Sequence, residues 1–280
     1  MATIGIVGAG TMGRGIAHVA ALAGFNTLLY DVSGEILKES SRLISADLQK
    51  GVEKGKLTAE LAEGAARRII LSTTLSVFST CEAVIEAAIE DLGAKKKIFG
   101  DLAPLTGAGV LLATNTSSLS VTAIAAAIPS PERVIGLHFF NPPHLIPLVE
   151  VVPGSRTSKE TVQSGLRLVE RLGKRAIVAK DTPGFIVNRL ARPFYGEALR
   201  ILGEGIASVG EIDRIVRLSG GFRMGPFELM DLIGIDVNLA VTKSMYEQTF
   251  GEPRYRPHVI QQRMVDAGRL GRKTKGGFYD

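Results

Sequence analysis

TIGIVGAGTMGRGIAHVAALAGFNTLLYD, Thr3 to Asp31, decides the fold. TIGIV (Thr3 to Val7) is a short apolar run rich in isoleucine and valine and predicts a strand. Met12 to Ala23 has helical spacing, and TLLYD (Thr27 to Asp31) predicts a second strand. Between the first strand and the helix, Gly8, Gly10 and Gly13 match G-x-G-x-x-G. The first glycine permits the tight turn, the second lets backbone approach a pyrophosphate, and the third lets helix pack on strand. The helix N-terminus adds N–H donors and a positive dipole. Asp31 follows the middle glycine by 21 positions, where an acidic residue accepts from the ribose hydroxyls of a dinucleotide. Its carboxylate would repel the 2′-phosphate of NADP, so NAD is the expected cofactor. Gly8, Gly10, Thr11, Met12, Gly13 and Asp31 are its expected binding set. Asp31 also suits a cap of the turn before Ser33, and the two roles are compatible.

Working outward, Ser33 to about Gly55 predicts a long amphipathic helix whose end carries Lys50, Lys54 and Lys56, ordinarily a solvated helix end. Strands are expected at Ala83 to Ala87, Gly109 to Asn115, Arg133 to Phe140, Pro147 to Val152 and Arg175 to Lys180, with helical patterns such as KKKIFGDLAPL and SKETVQSGLRLVERLG between several of them. This alternation predicts an α/β fold, a Rossmann-type mostly parallel sheet covered on both faces. Beyond Pro183 the segments FIVNRLARPFYGEALRIL, VGEIDRIVRL, PFELMDLIGIDVNLAVTKSMYEQ and HVIQQRMVDAG all have helical spacing. Two domains are expected, 1–183 binding NAD and an all-helical 184–280, with the break where proline and glycine interrupt the pattern.

Composition narrows the function. Hydrophobic residues make up 45% and charged residues 22% of 280, ordinary globular usage. The net charge of +5 comes from scattered basic residues with few aromatics, which suits an anionic small molecule and argues against nucleic acid. One cysteine, Cys81, leaves no disulfide framework and no metal cluster. The opening MATIGIVGAG runs straight into the first strand, with no signal-peptide pattern, and no apolar run approaches the roughly 20 residues of a membrane span. A cytoplasmic protein with no metal and no membrane contact is expected.

GLHFFNPPHLIPLVEVV, Gly136 to Val152, places a histidine and a glutamate in otherwise apolar strands. A lone strand histidine is ordinarily a satisfied core residue. Two buried ionisable residues in adjacent strands are costly unless paired, and His138 and Glu150 form such a pair near the expected nicotinamide end. Oxidation of a secondary alcohol needs a base for the hydroxyl proton, which histidine suits at neutral pH, and a carboxylate on its other nitrogen fixes the tautomer. His144 lies in a loop between prolines, His18 on the first helix and His258 in the helical tail. NTSSLS, Asn115 to Ser120, ends a strand and opens a helix that its hydroxyls could cap. Asn188, inside a helix, is otherwise unexplained except by a solvent-facing position.

GAGTMGRGIA, IEAAIED, NTSSLS, GLHFFNP, LVEVV, DTPGFIVNR, MGPFELMDLIGID and GRKTKGGFYD occur in order over almost the whole chain. Together they resemble the short-chain L-3-hydroxyacyl-CoA dehydrogenases, and among them the bacterial 3-hydroxybutyryl-CoA dehydrogenases. The resemblance implies reversible NAD-linked oxidation of a short 3-hydroxyacyl-CoA to the 3-ketoacyl-CoA, with substrate held between a Rossmann domain and a dimerising helical domain. It implies His138 and Glu150 as the acid/base pair, Ser117 on the 3-oxygen, Asn188 on the substrate, and Asn115, Glu90 and Lys95 near the nicotinamide. It makes the Lys50 to Lys56 cluster, Lys54 first, a candidate clamp for coenzyme A. The sequence departs from the family where Ile146 and Pro147 replace a usual methionine and lysine. NPPHLIPLVE is similar there to L-gulonate and carnitine dehydrogenases, whose substrates lack coenzyme A. Two further readings are an NAD-binding protein without turnover and a β-hydroxyacid dehydrogenase, whose lysine base would fall where Asn188 and Arg189 stand.

Overall fold

The computed structural model describes residues 2–279. The chain divides into two compact units between Asp181 and Thr182.

In the first unit eight strands form one sheet: β1 (Thr3–Val7), β2 (Asn26–Tyr30), β3 (Ile69–Ser72), β4 (Ala83–Glu86), β5 (Leu111–Thr114), β6 (Val134–Phe139), β7 (Leu148–Pro153) and β8 (Arg175–Val178). Their order is β3-β2-β1-β4-β5-β6-β7-β8. All neighbouring pairs are parallel except β6 and β7, which run antiparallel. The expected mostly parallel Rossmann sheet is therefore present. The strand order reverses at β1, the point where α/β sheets open a ligand crevice at their carboxyl ends.

Six helices join these strands: α1 (Thr11–Leu22), α2 (Gly34–Glu53), α3 (Ala59–Arg67), α4 (Leu92–Leu102), α5 (Val121–Ala125) and α6 (Lys159–Arg171). Local caps set their starts: the side chains of Ser33, Thr58, Asp91, Ser120 and Ser158 each accept a backbone N–H of the helix that follows. The core lies between the helices and β1, β2, β4, β5, β6 and β7, around Ile4, Ile6, Leu29, Ile85, Leu137 and Val151. Two elements have no counterpart among the sequence expectations, α3 and the edge strand β3. β3 spans four residues and buries none of them fully, so it carries little periodic signal.

The second unit is helical: α7 (Val187–Gly203), α8 (Val209–Gly220), α9 (Pro226–Ile233), α10 (Ile235–Gln248) and α11 (Val259–Asp266). Its core gathers Tyr195, Leu199, Ile212, Phe227, Met230 and Ile235. The single helical stretch expected over 226–248 is two helices, because Gly234 at φ 105° breaks it. Among the described residues no helix is long and apolar enough to cross a membrane.

Candidate active site

The β1–α1 turn uses its three glycines for three different reasons. Gly8 sits at φ 97°, and a Cβ there would meet the Ala87 carbonyl oxygen at 2.7 Å. A Cβ on Gly13 would lie 1.8 Å from the Gly8 carbonyl oxygen, so only glycine lets α1 start so close to the turn. Gly10 is exposed with ordinary backbone, φ −66°, and nothing lies within 4 Å of its would-be Cβ. Neither strain nor packing requires glycine there, whereas a pyrophosphate passing over the turn would. The first turn of α1, containing Thr11 and Met12, holds no acidic side chain, leaving its dipole for an anion. Asp31, just beyond β2, accepts from Ala9 N–H through Oδ2 at 2.8 Å and from Ser33 N–H through Oδ1 at 3.0 Å. Its capping role is thus real, and each oxygen keeps a second lone pair for a ribose hydroxyl. These residues fit NAD.

On the antiparallel β6–β7 pair, His138 and Glu150 are direct cross-strand partners. His138 is 5% exposed and Glu150 fully buried, with Nδ1 and Oε2 2.7 Å apart. Register alone produces this contact, since directly opposed residues on one face have side chains within reach. Asn115 follows β5, the neighbour of β6, and its Oδ1 accepts the Phe139 N–H at 2.8 Å. That bond fixes the amide's orientation beside His138.

A second polar cluster stands at the carboxyl ends of β4 and β5. Lys95, on α4 and 1% exposed, donates to Glu86 Oε1 at 2.7 Å and pairs with Glu90 Oε2 at 3.4 Å. Glu86 also accepts from Ala88 N–H and from Thr114 Oγ1, each at 2.7 Å. Glu90 Oε1 accepts from the Thr116 hydroxyl at 2.6 Å, from Ser117 N–H at 2.8 Å and from the Ser117 hydroxyl at 3.2 Å. The fold therefore joins Glu90, Lys95 and Ser117, and adds Glu86, Thr114 and Thr116, which sequence reading did not single out. Glu86 carries a sequence signal that was available, a charge ending the apolar strand AVIE. Asp181 opens the motif DTPGFIVNR, but nothing in the sequence tells its partner: it accepts from Ser120 Oγ, Val121 N–H and Thr122 N–H at 2.8–3.0 Å and so caps α5 from about sixty residues away.

The other expected residues stand on other elements. Lys50, Lys54 and Lys56 are exposed at the C-terminal end of α2, where cations suit the helix dipole, and among the described residues no side-chain bond ties them to the site. Asn188 stands in the first turn of α7 in the second unit. His18 and His144 stack on each other, ring centroids 5.1 Å apart, and burial pushes the His18 pKa down to about 4. His258 caps α11. The loop with Ile146 and Pro147 is held by Lys174, whose Nζ donates to the carbonyls of Pro143 at 2.6 Å and Ile146 at 3.0 Å. Among the described residues no cluster could hold a metal ion. Cys81 is buried, its thiol pushed up to about 12.

A family model described as the NAD binding domain of 3-hydroxyacyl-CoA dehydrogenase matches residues 3–182, and one described as that enzyme's C-terminal domain matches residues 184–280. A protein of Escherichia coli named 3-hydroxyadipyl-CoA dehydrogenase is 49% identical over 99% of this chain, which spans 58% of that relative's length. A 3-hydroxybutyryl-CoA dehydrogenase of Bradyrhizobium diazoefficiens is 42% identical over 99% of this chain and 94% of its own. The crystal structure of (S)-3-hydroxybutyryl-CoA dehydrogenase from Ralstonia eutropha superposes with a TM-score of 0.93 at 42% identity, covering 99% of this chain and 98% of that one.

Proposed function

The chain belongs to the 3-hydroxyacyl-CoA dehydrogenase family, and from that premise we propose that it interconverts L-3-hydroxybutyryl-CoA, or a related short 3-hydroxyacyl-CoA, and the 3-ketoacyl-CoA. The observation that carries the reading is the buried His138–Glu150 pair at 2.7 Å. With Nδ1 held by the carboxylate, Nε2 is the atom that takes the proton of the 3-hydroxyl in oxidation and returns it in reduction. Glu150 orients the ring and stabilises the imidazolium that forms. NAD, held by Gly8, Gly10, Thr11, Met12, Gly13 and Asp31, supplies the hydride acceptor. Ser117 and Asn188 bind the substrate's oxygens and Asn115, Glu90 and Lys95 border the nicotinamide. Lys50 and Lys54 attract the phosphates of coenzyme A by charge. In this reading the protein works in the cytoplasm as a homodimer or a dimer-based oligomer.

Initial rates of NADH oxidation test it, with acetoacetyl-CoA as substrate and free acetoacetate, dehydrocarnitine and an NADPH control alongside. Turnover that requires the thioester supports the reading. Activity confined to a free keto acid or to dehydrocarnitine overturns it and gives Ile146 and Pro147 the deciding weight.

A further inference from the structure

α7 carries a charge that no acidic side chain neutralises among the described residues of its own unit. Arg192, one turn beyond Asn188, is 5% exposed. Its Nη1 donates to the Asn238 carbonyl at 2.8 Å and to Thr242 Oγ1 at 2.9 Å, and its Nη2 lies 3.5 Å from Asn188 Oδ1. The guanidinium carbon stands 4.9 Å from the centre of the Tyr195 ring. Every one of these partners is neutral. Nε is buried with no hydrogen-bond partner, as is the neighbouring Nδ2 of Asn238. Burial pushes the pKa down to about 10, with no carboxylate opposing it, so the group stays charged at neutral pH.

A desolvated guanidinium without a counter-ion is costly, and leucine or methionine would suit a helical core better. Its planar fork matches a carboxylate with two parallel bonds, and a carboxylate is what its surroundings lack. We propose that Arg192 is a specificity-determining residue that binds a carboxylate at the far end of the acyl chain, making the preferred substrate a dicarboxylic 3-hydroxyacyl-CoA. The inference rests on the reading that Asn188 meets the substrate near its 3-oxygen. Asn188 and Arg192, four residues apart, lie on one face of α7, where Cβ atoms stand about 5–6 Å apart, and their polar ends come to 3.5 Å. In a six-carbon chain three C–C bonds of about 1.5 Å separate C3 from the terminal carboxyl carbon. The two spans are of the same order, so one chain can engage both side chains. The Escherichia coli relative named for 3-hydroxyadipyl-CoA carries such a terminal carboxylate on its substrate.

The test compares kcat/KM in NADH oxidation for 3-oxoadipyl-CoA, the methyl-ended 3-oxohexanoyl-CoA and acetoacetyl-CoA, in the native protein, Arg192→Met and Arg192→Lys. The native protein is expected to prefer 3-oxoadipyl-CoA over 3-oxohexanoyl-CoA by about 10- to 100-fold, the scale of a hydrogen bond to a charged group. Arg192→Met should erase that preference mainly through KM, and Arg192→Lys should restore part of it. Equal use of the two six-carbon substrates by the native protein, or an equal loss on all three in Arg192→Met, overturns the inference and leaves the acyl-CoA reading standing. Turnover of none of the three overturns the reading itself. Should the methionine variant not fold, inhibition of the native protein decides, with adipyl-CoA expected to compete more tightly than hexanoyl-CoA and the reverse order overturning the proposal.

Discussion

At the scale of single residues, the proposed chemistry rests on His138 and a pH-dependent stability on His18. His138→Ala is expected to lower kcat by about 10²- to 10⁴-fold with NADH affinity kept, because a positioned acid/base contributes on that order. Glu150→Gln should lower kcat on a similar scale with unchanged fold, since an amide can hold the ring in the wrong tautomer; steady-state rates with circular dichroism check both. His18 acts on stability instead. Its folded pKa of about 4 lies below the ordinary value of 6.5, chiefly through burial and then through His144. Unfolded His18 therefore binds its proton more readily than folded His18, so stability is full above about pH 6.5 and declines as pH falls toward 4. The loss amounts to about 3 kcal/mol. Urea midpoints measured between pH 7.5 and 4.5 should show this decline, and His18→Gln should flatten it; an unchanged slope in the variant would assign the decline to other groups.

At the scale of elements, the β1–α1 turn separates binding from folding. Gly10→Ala has room and ordinary φ, so stability should change by less than about 1 kcal/mol. NADH affinity should nevertheless fall at least about tenfold, a loss of about 1.4 kcal/mol in binding. Gly13→Ala forces its methyl against the Gly8 carbonyl and should lower stability by about 1–3 kcal/mol before any ligand is added. Thermal melts and NADH fluorescence titration distinguish the two. The cap from Asp181 belongs to this scale too: Asp181→Ala should cost about 2 kcal/mol, since it strips α5 of acceptors for two N–H groups and two hydroxyls. Sequence reading found the strands that matter here to within about two residues, because their apolar runs end at clear turn signals. It missed β3 for want of a buried face, and it fused α9 with α10 because apolar spacing continues across Gly234.

At the scale of the whole molecule, ligand binding and folding are linked. NAD at about 100 times its Kd should raise the stability of the unit that binds it by about 2.7 kcal/mol, and NADP should do far less because Asp31 would face its 2′-phosphate. A larger shift in Tm with NADP would overturn the role given to Asp31. The sequence alone determined the Rossmann-type sheet, the helical second unit and the cofactor class, since these follow from local periodicity and from glycine spacing that backbone sterics enforce. It also marked His138 and Glu150, because charge in an apolar strand stands out in one dimension. Only the tertiary structure decided the register that sets this expected pair directly opposite each other, that Glu86 rather than Glu90 is the nearer partner of Lys95, and that Asp181 caps a helix about sixty residues away. It alone revealed that Arg192 is buried with neutral partners, whereas in the sequence it reads as one more basic residue on a helix. Local propensity is written into neighbouring residues, but burial and the balance of charge depend on which distant side chains the fold brings together.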